Sequence, residues 1–336
     1  MDALKKLLQM KDLTEDESAL ALEYIMQGNA NNSQIAAFLT ALRIKGETVD
    51  EIVGLVKTMR KYSKKVTLTK KPETGNLLDT AGTGGDGSKT FNISTAAAFV
   101  AAGAGAVLAK HGNRAASSKS GSADVLEELG VDIDINEEIA KKQLEKMGIT
   151  FLFAKSYHPA MRFVAPVRKE LGFRTIFNVL GPLTNPADAK RQVIGVYDKG
   201  IMKKMAEALA KLGTEKTVFL SSDIDEFSIS TETSVIEVAG KEIKEYILAP
   251  EDFGIERGKI GELQVVDRIE SAGVIINVLE GKPGAARDVV VLNAGAAIYA
   301  CGLAGTIKEG TKLAEKSIDS GKALEKLDAL RNFVVE

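Results

Sequence analysis

The chain has 336 residues, enough for two domains or for one large domain with a small appendage. Its 44 Lys and Arg against 46 Asp and Glu leave a formal charge of -2, which excludes a global field drawing the protein onto nucleic acid or an anionic membrane, so any anion site must be local. With 45% apolar and 27% charged residues the composition is globular rather than disordered, and one cysteine, Cys301, rules out an internal disulfide or a cysteine-built metal site and fits a reducing compartment.

The opening MDALKKLLQMKDL mixes charge with apolar residues and lacks the apolar core of a signal peptide. Thr14 with Glu17, and Thr48 with Glu51, have capping-box spacing, and each predicts a helix start. Ile35, Phe38, Leu39 and Leu42 recur at helical spacing before Gly46, as do Ile52, Leu55, Val56 and Met59 after Thr48, so both segments carry a packing stripe. Residues 63–76 are rich in lysine, contain Pro72 and have little apolar content, which predicts an exposed hinge.

From Leu77 onward short apolar runs, at 77–78, 106–109, 151–153, 192–196 and 217–220, alternate with helical stretches. That alternation predicts an α/β fold with a central, mainly parallel sheet, whose sites form beyond the carboxyl ends of its strands. Between Pro159 and Leu180 the pattern returns to helix through Met161, Val164, Val167 and Leu171, a stretch expected to pack back on the N-terminal helices. The uncharged run from Ile93 to Ala109 falls short of the ~20 apolar residues that cross a bilayer, so a soluble, cytoplasmic protein is expected.

Three loops carry the chemistry. After the first strand, DTAGTGGDGSKTFNIST (Asp79–Thr95) places glycines at 82, 84, 85 and 87. Gly82, Gly84 and Gly87 match the dinucleotide fingerprint, but the acidic residue that should follow about 20 positions later is replaced by Lys110. The triphosphate-loop pattern also fails by one position, at Ser88-Lys89. Both patterns share glycines that admit a phosphate to the backbone and a helix amino end behind them, so the loop reads as a phosphate cradle of unassigned type or as a plain tight turn. After the second strand, KHGNRAASSKSGS (Lys110–Ser122) gathers Lys110, His111, Arg114, Lys119 and four serines without a carboxylate. Two neighbouring anion-binding loops suit a ligand phosphorylated at both ends. After the fifth strand, Asp225-Glu226 offers hard oxygens of the kind Mg²⁺ takes, with the Ser94 hydroxyl opposite.

GTGGDGSKTFNIST (82–95), KHGNRAASSKSGSADVLEELG (110–130), HPAMRFVAPVRKELGFRTIFNVLGPLTNP (158–186) and the Asp225-Glu226 pair together resemble the anthranilate phosphoribosyltransferases of tryptophan biosynthesis, over essentially the whole chain. The resemblance implies an N-terminal α-helical domain over 1–65, with about 159–180 packing on it, a hinge at 63–76, and an α/β domain for phosphoribosyl pyrophosphate over 77–158 and 181–336. It also implies a homodimer that forms through the helical parts. Carried over residue by residue, phosphoribosyl pyrophosphate would be held by Gly82, Gly85, Asp86, Thr90, Asn92, Ile93, Ser94, Thr95, Lys110, His111, Gly112, Asn113, Arg114, Ala115, Ala116, Ser117, Ser118 and Ser122. Mg²⁺ would sit at Ser94, Asp225 and Glu226. Anthranilate would lie against Gly82, Asn113 and Arg168, with His111 and Pro182 along its path. Catalysis is expected to be electrostatic and positional, with Lys110, His111 and Arg114 as candidates, and His158 reads as structural. Two other functions share much of this pattern: a pyrimidine nucleoside phosphorylase, whose loops lack the His-Gly-Asn-Arg string of 111–114, and a non-catalytic phosphosugar sensor.

Overall fold

The structure is a computed structural model that describes residues 2–69, 76–115 and 120–334. Four helices open the chain: α1 (Asp2–Leu7), α2 (Glu15–Met26), α3 (Asn32–Lys45) and α4 (Val49–Lys61). Both expected capping boxes form, at Thr14/Glu17 and Thr48/Glu51, and a third starts α3 from Asn31 and Gln34. The stripes Ile35, Phe38, Leu39, Leu42 and Ile52, Leu55, Val56, Met59 are all buried.

The rest alternates in the order expected of an α/β fold. It runs β1 (Leu77–Gly82), α5 (Ile93–Gly103), β2 (Val107–Gly112), α6 (Ser122–Glu128), α7 (Glu137–Met147), β3 (Ile149–Phe153), α8 (Ala154–Tyr157), α9 (Ala165–Leu171) and α10 (Ile176–Leu180). Then follow β4 (Arg191–Gly195), α11 (Lys199–Leu212), β5 (Lys216–Ser221), β6 (Thr233–Ala239), β7 (Glu242–Leu248), α12 (Arg268–Leu279), α13 (Ala285–Ala300), α14 (Ile307–Asp319) and α15 (Lys322–Arg331). The seven strands form one sheet in the order β3-β2-β1-β4-β5-β6-β7, parallel through β5 and antiparallel beyond it. The β6–β7 hairpin, turning at Ala239-Gly240-Lys241, is an element the pattern of apolar runs does not predict.

One core lies between the sheet and the alanine-rich α5, where Ala96 to Ala102 are buried against α13. The uncharged run from Ile93 is therefore a buried helix and strand, and no helix among the described residues is long and apolar enough to cross a membrane. On the other side a single apolar cluster runs from the N-terminal helices through Val164, Val167, Ile176 and Leu180 to Met205, Leu209, Ile194 and Phe219. The 159–180 stretch thus packs on α2, α3 and α4 as its periodicity predicts. Of the expected hinge, residues 70–75 lie outside the described ones. Its first half is not exposed throughout: Val66 is buried, and the Lys64 and Val66 N–H groups donate to the carbonyls of Tyr157 and Pro186. That tether is backbone bonding, which the lysine-rich composition does not reveal.

Cys301 caps α13, fully buried, with its thiol donating to the Ile298 carbonyl and pushed up to about 11 by burial. Iodoacetamide at pH 8 should therefore leave the folded protein unmodified and alkylate one thiol once urea unfolds it; mass spectrometry showing modification without denaturant would contradict this packing.

Candidate active site

The carboxyl ends of β1, β2, β4 and β5 point to one side of the sheet, and the residues singled out above gather there. β1 runs on to Gly82 and β2 to Gly112, so Lys110, His111 and Gly112 are strand residues rather than members of the loop that follows. Hydrogen bonding extends each strand beyond its apolar run.

Beyond Gly82 the chain turns through left-handed backbone at Gly84 (φ 65°) and Gly85 (φ 79°), which glycine adopts without the clash of a side chain. This folds the loop around the Asp225 carboxylate, whose Oδ2 accepts from the Gly84 N–H at 2.9 Å. Asp86 turns inward too: its Oδ2 accepts from the Asp225 N–H at 3.2 Å, and its two oxygens hold the Ser88 N–H and hydroxyl. The approach of Asp225 depends on Gly195 at the end of β4, where a Cβ would lie 1.6 Å from the Asp225 carbonyl oxygen.

Glu226 completes a set of three carboxylates, with Ser94 hydrogen-bonded to it. Lys110 is the buried cation beside Glu226, its Nζ donating to the Thr80 carbonyl at 2.5 Å, to Thr80 Oγ1 at 3.3 Å and to Ser94 Oγ at 3.2 Å. One ammonium does not balance three acids. Burial, then the Asp86 charge, pushes Asp225 up to about 7, and burial with Asp225 raises Glu226 well above the usual carboxylate range while Lys110 pulls it back. Burial conversely lowers Lys110, against the charges of Asp79 and Glu226. Hard oxygens in excess of positive charge are a donor set for a divalent cation. Among the described residues no three His, Cys, Asp or Glu side chains are spaced to enclose one, so a cation here would complete its shell with other oxygens.

The second loop departs from the expected cluster of free donors. The Arg114 guanidinium is tied to Asp124 at 3.1 Å and to both oxygens of Glu127, and stacks over Phe153. Asp124 also accepts the N–H groups of Ala115 and Gly121 at 2.9 Å, closing the loop at its base. These acids begin just past Ser122, outside the window that lacks carboxylates. Asn113 is exposed, its carbonyl accepting from the Ala123 N–H and the Ser122 hydroxyl. Ala116, Ser117, Ser118 and Lys119 lie outside the described residues.

Other candidates divide by where their side chains go. Ile93 and the Thr95 hydroxyl face the interior, so these two would offer backbone only. Thr90 pairs with Gln264 as an isolated bridge, and its hydroxyl meets Ser88 at 3.2 Å. His111 is buried with its backbone N–H on Asp79 Oδ1 and its ring 5.1 Å from His158. Burial, then the other histidine, takes His111 down to about 3, and burial, then Lys65, takes His158 to about 4, so both rings are neutral at pH 7. Sequence alone does not reveal that the two histidines are neighbours. Pro182 is buried behind them, its carbonyl bonded to Gln192. Arg168 is half-buried on α9 over the Phe177 ring, bonded weakly to Asn178 at 3.4 Å, with no carboxylate partner among the described residues.

Family models place residues 1–63 in the helical bundle domain and 74–324 in the a/b domain of a glycosyl transferase family. The chain is 51% identical to an anthranilate phosphoribosyltransferase of Rubrobacter xylanophilus, over 99% of this chain and 96% of that one. It belongs to the anthranilate phosphoribosyltransferase family. A relative of the same name from Geobacillus kaustophilus is 50% identical over 98% of this chain and 96% of its own. The fold matches the crystal structure of anthranilate phosphoribosyltransferase from Thermus thermophilus with a TM-score of 0.91 at 42% identity, covering 98% of both chains. It matches the Saccharomyces cerevisiae enzyme in complex with PRPP and Mg with a TM-score of 0.87 at 32% identity, over 98% and 96% of the two chains.

Asp225 is more easily protonated folded than unfolded, so its contribution to stability is complete at low pH and is lost as pH rises through about 7. Asp225→Asn, which removes the charge and keeps an acceptor for Gly84, should raise Tm at pH 8 by ~2–4 °C, about what 1 kcal/mol does in a domain of this size. At pH 6 the gain should shrink; calorimetry showing equal shifts at both pH values would remove the like-charge account.

Proposed function

We propose that the protein transfers the phosphoribosyl group of 5-phosphoribosyl 1-pyrophosphate to the amino nitrogen of anthranilate, releasing pyrophosphate, in tryptophan biosynthesis. Family membership over the full length supports this, and the observation in the molecule that carries it is the half-buried carboxylate cluster at the glycine loop. Asp225, Glu226 and Ser94 would hold Mg²⁺ there, which would supply charge neutralisation for the departing diphosphate.

The chain's own residues do the remainder. The glycine loop at Gly82, Gly85 and Asp86, with Thr90, Asn92 and the amides of Ile93, Ser94 and Thr95, would hold one end of the phosphosugar, and the Lys110–Ser122 stretch the other. Lys110 is positioned electrostatically, fixed between Thr80 and Ser94 to face the charge that develops on the leaving group. Arg114, committed to Asp124 and Glu127, would shape the loop rather than bind by its charge. A half-buried guanidinium with no carboxylate partner among the described residues seeks an anion, and Arg168 suits the anthranilate carboxylate because its planar fork takes both oxygens. The aryl amine is a neutral nucleophile at pH 7, and neutral His111 and Pro182 would line its path without adding charge. As the nitrogen attacks C1, the C1–O bond to diphosphate breaks, and the nitrogen sheds its proton afterwards. Holding the two reactants in line can itself remove ~7–11 kcal/mol of barrier.

The reading extends to assembly and location. Leu8 (70% exposed) and Met10 just past α1, Leu20 (65%) and Tyr24 on α2, and Ile44 (70%) on α3 are exposed apolar side chains of the helical part that a second copy would cover, making a homodimer. We place the domain limits at 1–65, 77–158 with 181–336, and the hinge at 63–76, and the protein in the cytoplasm, where its single thiol stays reduced.

Purified protein with Mg²⁺ and phosphoribosyl pyrophosphate should extinguish anthranilate fluorescence while releasing one pyrophosphate per turnover; phosphorolysis of a pyrimidine nucleoside without Mg²⁺, or ligand binding without pyrophosphate, would favour the phosphorylase or the sensor. Arg168→Lys should raise the anthranilate KM by ~10-fold or more, the loss of a charge-assisted bond. An unchanged KM would take Arg168 out of the site. Asp225→Ala with Glu226→Ala should abolish Mg²⁺-dependent turnover with a cooperative melt retained, and activity at the wild-type Mg²⁺ optimum would refute the metal assignment.

A further inference from the structure

An asparagine at the N-cap of a helix ordinarily accepts from that helix's first-turn N–H groups. Asn31 does so for α3 and Asn136 for α7. Asn92 holds the same position on α5 and makes no such bond. Its amide is drawn sideways: Oδ1 accepts from the Ser271 hydroxyl at 2.9 Å and the Ser120 hydroxyl at 2.8 Å, and Nδ2 reaches the Ser120 carbonyl at 3.3 Å. The Asn92 N–H then donates to Ser271 Oγ at 3.1 Å, so one serine grips both the backbone and the side chain of Asn92.

Ser271 is fully buried in the first turn of α12, 179 residues further along the chain. The strap leading into that helix is registered on the tail of the glycine loop throughout. Phe91 N–H donates to the Leu263 carbonyl at 2.9 Å, Val265 N–H to the Lys89 carbonyl at 3.0 Å, and Gln264 Nε2 to the Ser88 carbonyl at 2.9 Å. The strap fixes the loop's backbone, and Ser271 at its end fixes Asn92, whose side chain joins the loop to the second loop through Ser120.

We infer that Ser271 is a positioning residue for phosphoribosyl pyrophosphate: by holding the Asn92 amide away from α5 it keeps the amino end of that helix open to a phosphate and couples the two strand-end loops. This rests on the functional reading above. Without the Ser271 hydroxyl, only the two bonds to Ser120 would oppose a turn of the Asn92 amide onto its own helix, which would close with a neutral acceptor the end that should receive an anion.

The test is a double-mutant cycle read by calorimetric titration of phosphoribosyl pyrophosphate with Mg²⁺, alongside both KM values and Tm. Ser271→Ala should weaken phosphoribosyl pyrophosphate binding and raise its KM by ~10-fold, the size of one buried hydrogen bond, with the anthranilate KM unchanged and Tm lowered by no more than that lost bond. In an Asn92→Gly background, which has no amide to misplace, the same substitution should add nothing. Wild-type binding by Ser271→Ala, or a full additive loss on top of Asn92→Gly, overturns the inference. A fall in Tm with both KM values rising together also overturns it, since that is what a merely structural serine would give. If Ser271→Ala does not melt cooperatively, Ser271→Cys, of similar volume and a weaker donor, should show the same selective rise, and unaltered binding there overturns the inference as well. Failure of the wild-type protein to bind phosphoribosyl pyrophosphate would instead sink the functional reading, and this inference with it.

Discussion

Three carboxylates crowded at the strand ends, with one buried ammonium beside Glu226, set the terms for the rest of the molecule. Asp86, Asp225 and Glu226 would ordinarily spread apart in water, and the protein keeps them together by geometry: Gly195 has no side chain to block Asp225, and Gly84 turns its N–H toward it. Lys110 is held by Thr80 and Ser94 where its charge is felt by Glu226 and Asp79. Such an arrangement is poor for stability and useful for chemistry, because the excess negative charge is an attraction for a metal ion and, through it, for a diphosphate. The parallel sheet brings its strand ends to one place, and the glycines let their loops come close enough to interact.

The helical and α/β parts are joined more intimately than a hinge implies. The apolar cluster that starts in the N-terminal helices continues through α9 and α10 onto α11 and the underside of β4 and β5. Arg168 rises from this shared layer, while the carboxylates lie at the strand ends. Any relative motion of the two parts would change the distance between the group proposed for the aromatic acid and the groups proposed for the phosphosugar, without a change in either. Catalysis by alignment needs that kind of control.

Much of this was legible in the residues, for physical reasons. The capping boxes and apolar stripes of the first 62 residues are local signals, and local structure obeyed them. The five parallel strands were visible as apolar runs, though several stopped short of the true strand end, because a strand continues as long as hydrogen bonding continues: Lys110 and His111 belong to β2 despite their polarity. The apolar runs do not predict the β6–β7 hairpin because the apolar residues of β7, EIKEYIL, are interrupted by three charges and read as surface. In the site, the glycine loop and the Asp225-Glu226 pair could be found by composition. The engagement of Arg114 by Asp124 and Glu127, the contact of His111 with His158 and the grip of Ser271 on Asn92 could not, since each depends on which distant residues the fold makes neighbours.

β7 ends the sheet, and a rim strand carries unpaired backbone groups to which another polypeptide could add. Glu242, Lys244 and Glu245 are exposed along it, and any incoming strand would have to strip water from them. Charge at the rim guards against fibrous stacking, so a protein built around an open sheet can accumulate in solution without polymerising edge to edge.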